Sequence, residues 1–458
     1  MFIEKIKSEG LAHLSYVVGA GGCAAVIDPR RDCEVYREKA AAHGCRVTHI
    51  LETHRNEDLV SGAPVLAGMT GAAVFHGPNA AGETPYARVV GEGDAFMLGK
   101  LLIKVLETPG HTDDSVSYVL YDTDFGGEAV GVFTGDALFV GDVGRTDFYP
   151  DRAAAVAGLL YDSLGKLLAL GDQAIVYPAH GAGSVCGNNM ADREFSTLGY
   201  ERRNNPMLQL GDREAFVERK LGEHHYQPPY FRLMEKLNRV GAGAPAAGLR
   251  PPPLDPGELE RRAGRATLVD VRAAAAFLGA HLPRSLALSV GLLPAFAGWL
   301  LDPDDDLLLV ADDAAQAEQA ARHLARIGYD RVGGFLAASL PAWAARAGDF
   351  ATLPVVDVAT VARRVGQPPK DWTLLDVRGV DELAGGVVEG AQAVYVGELP
   401  QRLGELDPAR HYTVMCASGA RATVAASVLR RAGFPQVDVF LGSMGAWRGA
   451  GHPVVAPS

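Results

Sequence analysis

Short apolar runs alternate with polar turns along the first half of the chain, and four of these runs end in a histidine or an aspartate. Short apolar runs bounded by turn residues predict β-strands. Because polar residues at strand ends gather at one edge of a sheet, we expect a functional site at that edge. The four runs are VTHILETH, LLIKVLETPGH, AVGVFTGD and QAIVYPAH, which end at His54, His111, Asp136 and His180.

A stretch rich in proline, glycine and alanine, VGAGAPAAGLRPPPLDPG at 240–257, separates this half from a repeated second half. Such a composition is typical of a linker. Beyond it, TLVDVR at 267–272 recurs as TLLDVR at 373–378, and the segment at 321–336 recurs at 426–441. The nearly constant offset of 105 to 106 residues indicates two tandem copies of one domain.

Each copy alternates apolar strands with an alanine-rich helix, which predicts an α/β domain built on a parallel sheet with helices on both faces. The first half shows a different pattern and forms a domain of its own. We therefore predict a front domain at 1–239, a linker at 240–257, and two α/β domains at 258–350 and 355–458.

Composition and charge narrow the classes of partner. The net charge of -12 argues against nucleic acid and against an anionic membrane surface. The cysteines are few and widely spread, with no CxxC, which fits a reducing compartment. The first residues, MFIEKIKSEG, carry charges where a signal peptide needs an apolar run. We therefore expect a cytoplasmic protein with no nucleic-acid or membrane partner.

The four residues at the strand ends lie in ETHRNED, TPGHTDD, FTGDAL and YPAHGAG. Their order and spacing resemble the metallo-β-lactamase fold, an αββα sandwich, over roughly residues 1–235. In the dinuclear hydrolases of that fold the first motif is Thr-His-x-His-x-Asp-His. Here Asn56 replaces the second histidine and Leu59 the last, so a two-metal site would lack two of its ligands.

The remaining ligands, His54, His111 and Asp136, are two imidazoles and one carboxylate, the facial triad of non-haem Fe(II) oxygenases. The set resembles the mononuclear iron site of persulfide dioxygenases, which share this fold. That resemblance implies one Fe(II) per chain, with zinc as an alternative occupant in recombinant protein. A mononuclear zinc site and a degenerate, metal-free site both stay open on the ligands alone.

Several residues around this set are candidates for supporting roles. With no second metal to share, Asp58 and His180 are predicted to orient a ligand or the substrate by hydrogen bonds. GDVGRTDF resembles a persulfide dioxygenase stretch, in which Arg145 could pair with the carboxylate of a thiol carrier or with Asp147. Cys186 lies six residues past His180 and is a candidate sulfur acceptor near the iron or, alternatively, a small buried residue.

The last domain contains VMCASGARATVAASVLRRAGF, in which Cys416 ends a buried strand and starts a six-residue loop before a helix. Inward N–H groups, the helix N-terminus and Arg421 favour a thiolate or persulfide at Cys416. We expect Ser418, Gly419 and Arg421 to form the anion-binding part of the loop. The segment resembles the rhodanese sulfurtransferase loop, with Asp-Val-Arg at 376–378 as its upstream marker.

The middle domain repeats this fold without the chemistry. Ala311 falls where Cys416 does, and Gln316 falls where Arg421 does. Asp312 and its neighbour Asp313 place two carboxylates in a loop that would need to attract anions. We predict an inactive rhodanese-like domain with a structural role.

The domain order resembles the bacterial CstB-type persulfide dioxygenase–sulfurtransferase fusions over essentially the whole chain. That resemblance implies oxidation of a low-molecular-weight thiol persulfide by O2 to sulfite, and conversion of sulfite to thiosulfate at Cys416. The role would be detoxification of sulfide-derived persulfides, and we expect a homo-oligomer. A glyoxalase II-like thioester hydrolase fused to a rhodanese remains an alternative. So does a non-catalytic sulfur-relay protein with a vestigial metal site.

Overall fold

The computed structural model describes residues 1–78, 82, 84–187, 189–245, 248–337, 340–346 and 348–457. These form two compact units, one of residues 1–244 with 325–328, the other of 245–324 with the residues from 329 onwards. Residues 246 and 247 of the predicted linker lie outside the described residues. No helix within the described ranges has both the length and the apolar composition needed to cross a membrane.

The front unit contains two six-stranded sheets. The first sheet comprises β1 Phe2–Ser8, β2 His13–Ala20, β3 Cys23–Ile27, β4 Arg46–Leu51, β5 Ala73–His76 and β6 Arg88–Val89. The second comprises β7 Ala95–Leu98, β8 Leu101–Glu107, β9 Val116–Asp122, β10 Ala129–Gly135, β11 Ile175–Pro178 and β12 Ser196–Thr197. The first sheet follows chain order and the second follows it in reverse, so each is built largely from sequential neighbours.

The two sheets face each other across a shared apolar core, and helices cover their outer faces. Alternation along β2 shows why: Tyr16 and Val18 join the core between the sheets, whereas Val17 joins the core under the outer helices. The helices are α1 Glu34–Ala42, α2 Ala63–Thr70, α3 Ala153–Leu168, α4 Leu198–Asn204, α5 Arg213–Leu221 and α6 Phe231–Val240. The αββα sandwich expected from the sequence is therefore confirmed.

The second unit contains two five-stranded parallel sheets of identical topology. The first comprises β13 Pro253–Leu254, β14 Thr267–Asp270, β15 Leu286–Ala287, β16 Leu307–Val310 and β17 Val332–Leu336, in the order β13-β17-β16-β14-β15. The second comprises β18 Val355–Val356, β19 Trp372–Asp376, β20 Gln392–Ala393, β21 His411–Met415 and β22 Val437–Phe440, in the order β18-β22-β21-β19-β20. The repeat in the sequence is therefore a repeat of strand order.

Helices connect the parallel strands of both sheets, as crossover connections require. In the first they are α7 Pro256–Ala263, α8 Ala274–Gly279, α9 Leu293–Leu300, α10 Ala314–Arg326 and α11 Leu340–Ala344. In the second they are α12 Val358–Gly366, α13 Val380–Ala384, α14 Leu399–Arg402, α15 Ala420–Arg431 and α16 Ser443–Gly449.

Strand β13 and the start of helix α7 fall inside the segment predicted as a linker. Asp255 caps α7 by accepting a hydrogen bond from Glu258, so the sheet recruits the end of the proline-rich stretch.

Candidate functional site

His54, His111 and Asp136 come together at one edge of the sandwich, where β4, β8 and β10 end. Nε2 of His111 lies 3.4 Å from Oδ2 of Asp136, and Nε2 of His54 lies 3.8 Å from the same oxygen. All three side chains are buried, and their ligand atoms lie within 4.8 Å of one another. The structure thus assembles the two imidazoles and one carboxylate that the sequence singled out.

Hydrogen bonds fix which ring nitrogen of His54 is free. The Thr53 hydroxyl donates its one hydrogen to Oδ2 of Asp28 at 2.8 Å, so it accepts from Nδ1–H of His54, also at 2.8 Å. Nε2 then carries the lone pair that faces Asp136. Burial lowers the pKa of His54 to about 3, so this lone pair stays available at any pH near neutrality.

His111 has the same orientation by a different route. Its Nδ1–H donates to the backbone carbonyl of Arg145 at 3.0 Å, which leaves Nε2 as the free nitrogen. Gly144 makes this approach feasible, because a Cβ there would lie 1.9 Å from the carbonyl oxygen of Asp136 and 3.2 Å from Nδ1 of His111. Nε2 of His111 and Oδ2 of Asp136 are buried, and neither has a hydrogen-bond partner in the described part of the chain.

These donors fit a metal ion. Buried polar atoms without partners are costly, and a cation coordinated by all of them removes that cost. Two nitrogens and one carboxylate oxygen leave coordination positions open, which suits a catalytic mononuclear site. Iron and zinc both accept this donor set.

The loop that carries the two departures from the dinuclear motif is held by helix α6. Asn238 donates to the carbonyl oxygens of Asn56 and Leu59, and its own oxygen accepts the N–H of Ser61. Leu59 is 1% exposed and belongs to the apolar interior. The position of the missing last histidine is thus occupied by a buried hydrocarbon side chain.

Glu57 is a further site residue, which the sequence pattern did not indicate. Its Oε2 lies 3.6 Å from Nε2 of His111, and both carboxylate oxygens are buried without a hydrogen-bond partner in the described ranges. Burial raises the pKa of Glu57. Its place between two residues of the metal-binding motif was the one signal in the sequence. Carboxylates are common on helices and surfaces, and the spacing of the motif does not indicate that this side chain is buried.

A buried ionic cluster ties together the segments that carry His54 and His111. His76 lies 3.2 Å from Oε2 of Glu52 through Nδ1 and 3.0 Å from Oδ2 of Asp114 through Nε2. Burial lowers the pKa of His76, but its hydrogen bonds to Asp114 and Glu52 outweigh burial and raise it to about 10. The charged imidazolium of His76 therefore links Glu52, which precedes the ligand His54, to Asp114, which follows the ligand His111. Nothing in the sequence pattern indicated this cluster.

Asp58, His180 and Cys186 form a second buried group, next to the first. Nδ1 of His180 donates to Oδ1 of Asp136 at 2.7 Å, and its Nε2 lies 3.0 Å from Oδ2 of Asp58. The orienting role predicted for His180 is compatible with this contact. Cys186 contributes its sulfur to the second group, and burial raises the pKa of its thiol. Its predicted role as a sulfur acceptor stays a prediction, and at 2% exposure the thiol is enclosed.

Arg145 is fully buried and forms a two-pronged ion pair with Asp147, with both N–O distances at 2.7 Å. Its remaining nitrogen donates to the carbonyls of Val185 and Tyr226, each at 3.1 Å. Of the two roles considered for Arg145, these contacts correspond to the ion pair. The same residue accepts a hydrogen bond from His111 and donates its N–H to the carbonyl of Cys186, so it braces both buried groups.

The loop after β21 surrounds Cys416, which is 1% exposed. Its sulfur accepts the N–H of Gly419 at 3.1 Å, and Gly419 has a φ of 117°, a conformation that favours glycine. Helix α15 begins at the next residue, so its N-terminus points at the sulfur. Ser418 closes the loop by accepting the N–H of Gly442 at 3.0 Å.

Arg421 lies at the start of α15, and its guanidinium is paired with Glu382 through contacts of 2.5 and 2.6 Å. Burial raises the pKa of Glu382, but the hydrogen bonds from Arg421 outweigh burial and lower it. The sequence pattern indicated Arg421 as part of the loop but gave no signal for Glu382. The two are 39 residues apart and meet only because α13 and α15 converge.

The equivalent loop of the middle domain follows β16 at Ala311. Gln316 accepts the N–H of Asp312 at 2.7 Å, and Asp313 accepts the N–H of Gln316 at 2.8 Å. Side chains of the loop therefore occupy N–H groups that would otherwise be available to an anion.

Comparisons with known proteins agree with this architecture. The family model of the metallo-beta-lactamase superfamily matches residues 9–180, and that of the rhodanese-like domain matches 255–346 and 357–450. A metallo-beta-lactamase structure from Staphylococcus aureus subsp. aureus COL is 28% identical with a TM-score of 0.66. The match covers 74% of this chain and 99% of that one.

Two curated relatives match less than half of the chain. A hydroxyacylglutathione hydrolase of Methylobacterium nodulans is 31% identical over 231 residues, 45% of this chain and 85% of the relative. The mitochondrial persulfide dioxygenase ETHE1 of Mus musculus is 28% identical over 196 residues, 42% of this chain and 68% of the relative. The chain spans 63% of the length of two further hydroxyacylglutathione hydrolases.

These matches and the αββα sandwich with its buried ligand set define the class: the chain belongs to the metallo-β-lactamase superfamily. Within that class it is a fusion, a metallo-β-lactamase domain followed by tandem rhodanese-like domains. A persulfide dioxygenase is among the relatives of its front unit. The fold class and the family resemblance predicted from the sequence are confirmed.

Proposed function

We propose that this chain is a non-haem Fe(II) persulfide dioxygenase coupled to a sulfurtransferase. The observation that carries the proposal is the mononuclear donor set. His54 and His111 direct free Nε2 atoms towards the unpartnered oxygen of Asp136, while Leu59 fills the place of a second-metal ligand. The mouse persulfide dioxygenase relative supports the same reading.

In the first half-reaction a thiol persulfide, O2 and water give the thiol, sulfite and two protons. Iron bound by His54, His111 and Asp136 would supply the one-electron chemistry that O2 requires. The chain itself orients that site. His180 holds Asp136 through Oδ1, and Arg145 holds His111 through its carbonyl oxygen. Burial of the ligands excludes bulk water from the reacting centre.

In the second half-reaction the Cys416 thiolate takes the terminal sulfur of a second persulfide and releases the thiol. The enzyme persulfide then donates that sulfur to sulfite, which yields thiosulfate and regenerates the thiolate. The N–H of Gly419 and the start of α15 stabilise negative charge on the sulfur in both steps. The sequence of the two steps corresponds to detoxification of sulfide-derived persulfides.

A second candidate is a thioester hydrolase of the hydroxyacylglutathione hydrolase type. Several relatives of the chain are named hydroxyacylglutathione hydrolase, and these matches support this candidate. Such hydrolases use paired metals to generate hydroxide. Asn56 and Leu59 remove two of the required ligands, so the geometry favours the dioxygenase. A non-catalytic sulfur relay is the third candidate, and it would consume no O2.

The test is O2 consumption by the iron-loaded full chain with glutathione persulfide as substrate, with sulfite and thiosulfate quantified. We expect uptake by the wild type and none by His111→Ala. His43→Ala, at an exposed histidine, is the matched control and should behave as wild type. Hydrolysis of a glutathione thioester by zinc-loaded protein, without O2 uptake by the iron form, would contradict the dioxygenase and support the hydrolase.

A further inference from the structure

A cavity of about 540 Å³ in the second unit is lined by three arginines, Arg265, Arg284 and Arg431. Arg265 lies in the turn between α7 and β14, and Arg284 lies two residues before β15, so both belong to the middle domain. Arg431 is the last residue of α15 and belongs to the last domain. The cavity has the volume of a small-molecule site, and positive groups from two domains meet around it.

This cavity lies at the opposite end of the sheet from the rhodanese-type loops. Its lining includes Thr267, the first residue of β14, and Asp305, two residues before β16 begins. The two rhodanese-type loops instead follow the carboxyl ends of β16 and β21. Helix α15 begins beside the Cys416 loop and ends at Arg431, and its 12 residues span about 18 Å. The cavity is therefore separate from the site of sulfur chemistry.

The three guanidinium groups have no counter-charge bound to them. Within the part of the chain that the structure describes, none of them forms an ion pair or a side-chain hydrogen bond. The lining also contains Asp305, whose Oδ2 accepts a hydrogen bond from the Thr267 hydroxyl at 2.8 Å. Burial, and after it the charge of Arg284, lower the pKa of Arg431, and Asp305 opposes this effect less strongly. Positive charge therefore predominates around the cavity, and an anion would offset it.

The backbone of Arg284 lies in the left-handed region, with a φ of 65°. Glycine adopts this conformation freely, whereas a side chain raises its energy. Two other described residues with positive φ support functional loops: Asp28 accepts the N–H of Thr53 in the metal loop, and Ser443 accepts the N–H of Cys416. The guanidinium of Arg284 has no such partner within the described ranges. A bound anion would account for an arginine at a position that glycine fills with less strain.

We propose that Arg265, Arg284 and Arg431 bind a tetrahedral dianion of the phosphate or sulfate type, which joins the middle domain to the last one. Planar guanidinium groups donate paired N–H bonds to the oxygens of such anions. A free ion and the phosphate group of a nucleotide share this chemistry, and the cavity has room for either. The proposal goes beyond the dioxygenase and sulfurtransferase functions and does not rest on them, because no residue of either site takes part.

The experiment is isothermal titration calorimetry of the full chain with inorganic phosphate and, separately, with ADP, at constant ionic strength. We expect binding by the wild type, with a Kd that rises about tenfold in Arg431→Gln and in Arg284→Gly, since each loses a charged hydrogen-bond donor. Tighter binding of ADP would identify a phosphate ester as the ligand, and binding of phosphate alone would identify the free ion.

Two variants control for folding and for general charge. Arg284→Gly suits a φ of 65°, so it should fold as the wild type does and lose only the guanidinium. Phosphate should raise the melting temperature of the wild type and leave that of Arg284→Gly nearly unchanged. Arg331→Gln should bind as the wild type does, because Arg331 pairs with Asp306 and does not line the cavity.

Arg421→Gln distinguishes this cavity from the Cys416 loop, which also attracts anions, and binding at the cavity should persist in that variant. The proposal is overturned if the wild type binds neither probe. It is equally overturned if the Kd is unchanged in both Arg284→Gly and Arg431→Gln. Binding that is lost in Arg421→Gln but kept in those two variants would assign the anion to the Cys416 loop instead.

Discussion

The two rhodanese-like loops occupy equivalent positions on sheets of the same strand order, yet one is open to sulfur chemistry and the other is filled by its own side chains. In the last domain, the N–H of Gly419 points at the sulfur of Cys416. In the middle domain, Asp313 and Gln316 accept the corresponding kind of N–H group. The middle loop therefore combines an alanine at the cysteine position with N–H groups that its own side chains already occupy.

The upstream ion pair is present in both domains. Arg378 contacts Asp376 at 2.7 Å, and Arg272 contacts Asp270 at 2.6 Å. Both aspartates are fully buried, so each arginine neutralises a charge that the sheet cannot solvate. The Asp-Val-Arg sequence is thus typical of the fold in both domains, whereas the loop after the central strand distinguishes the domain that has the reactive cysteine from the one that lacks it. Five measurements test this comparison.

The largest effect is expected for Cys416→Ser. Loss of the nucleophilic thiolate should reduce thiosulfate formation to the background rate while persulfide-dependent O2 uptake continues, so that sulfite accumulates. The assay quantifies both anions after a fixed time. Thiosulfate production at the wild-type rate by this variant would show that the last loop is no more active than the middle one.

The next effect is on stability. Arg378→Ala leaves the Asp376 carboxylate buried without its guanidinium partner, which should cost about 3–5 kcal/mol. Arg272→Ala is the matched variant, and we expect a smaller cost because the side chain of Arg272 is more exposed, at 10% against 3%. Hydrogen exchange of β19 and β14 separates the two domains. Equal protection in wild type and Arg378→Ala would refute the structural role of the marker.

A smaller effect is expected for Glu382→Gln. The carboxylate offsets the charge of Arg421 beside the loop, so its removal should lower the KM for sulfite about fivefold, or about 1 kcal/mol, with kcat less affected. The gain should shrink in high salt. Asp381→Asn, on the neighbouring residue, is the control. A rise in KM would mean that Glu382 acts by positioning Arg421 and not by offsetting its charge.

The same ion pair has a defined pH dependence. Because the pKa of Glu382 is held below its ordinary value of 4.5, the stabilisation from this pair is complete above that value. It is lost as the pH falls through the lowered pKa. The KM difference between wild type and Glu382→Gln should therefore be constant from neutral pH down to mildly acidic pH. It should disappear only in stronger acid.

The smallest effect is expected for Ala311→Cys in the Cys416→Ser background. A thiol placed in the middle loop finds N–H groups that already donate to Gln316 and Asp313, so no thiosulfate formation should return. Restored activity in this variant would show that a single residue separates the two loops. The product assay is the one used for Cys416→Ser.

Patterns local in the sequence predicted much of this molecule. The repeat at an offset of 105 to 106 residues yielded two domains of identical strand order, and strand-end residues yielded His54, His111 and Asp136 in one place. Strands that follow one another in the chain usually lie next to each other in a sheet, so residues at their ends come close together. Those predictions needed no knowledge of loops.

The contacts made by loop residues could not be predicted from the sequence. The inward direction of Glu57 and the convergence of Cys186 with Asp58 depend on how irregular backbone is braced. Arg145 supplies that bracing for one loop, and Asn238 supplies it for the other. Such contacts join residues far apart in the chain, and no periodicity encodes them. The edge strand at 253–254 escaped prediction because a proline-rich stretch has the composition of a linker.

Asn238 has a consequence for protein engineers who exchange or transplant domains. This single amide makes three hydrogen bonds to the loop between Asn56 and Ser61, although it lies on the helix that ends at Val240, the first residue of the proline-rich stretch. A junction placed at or before residue 237 would remove Asn238, and with it all three hydrogen bonds to the metal loop, while leaving every ligand in place. Chimaeras should therefore be joined beyond residue 240, so that the transplanted domain keeps Asn238 and its hydrogen bonds to the metal loop.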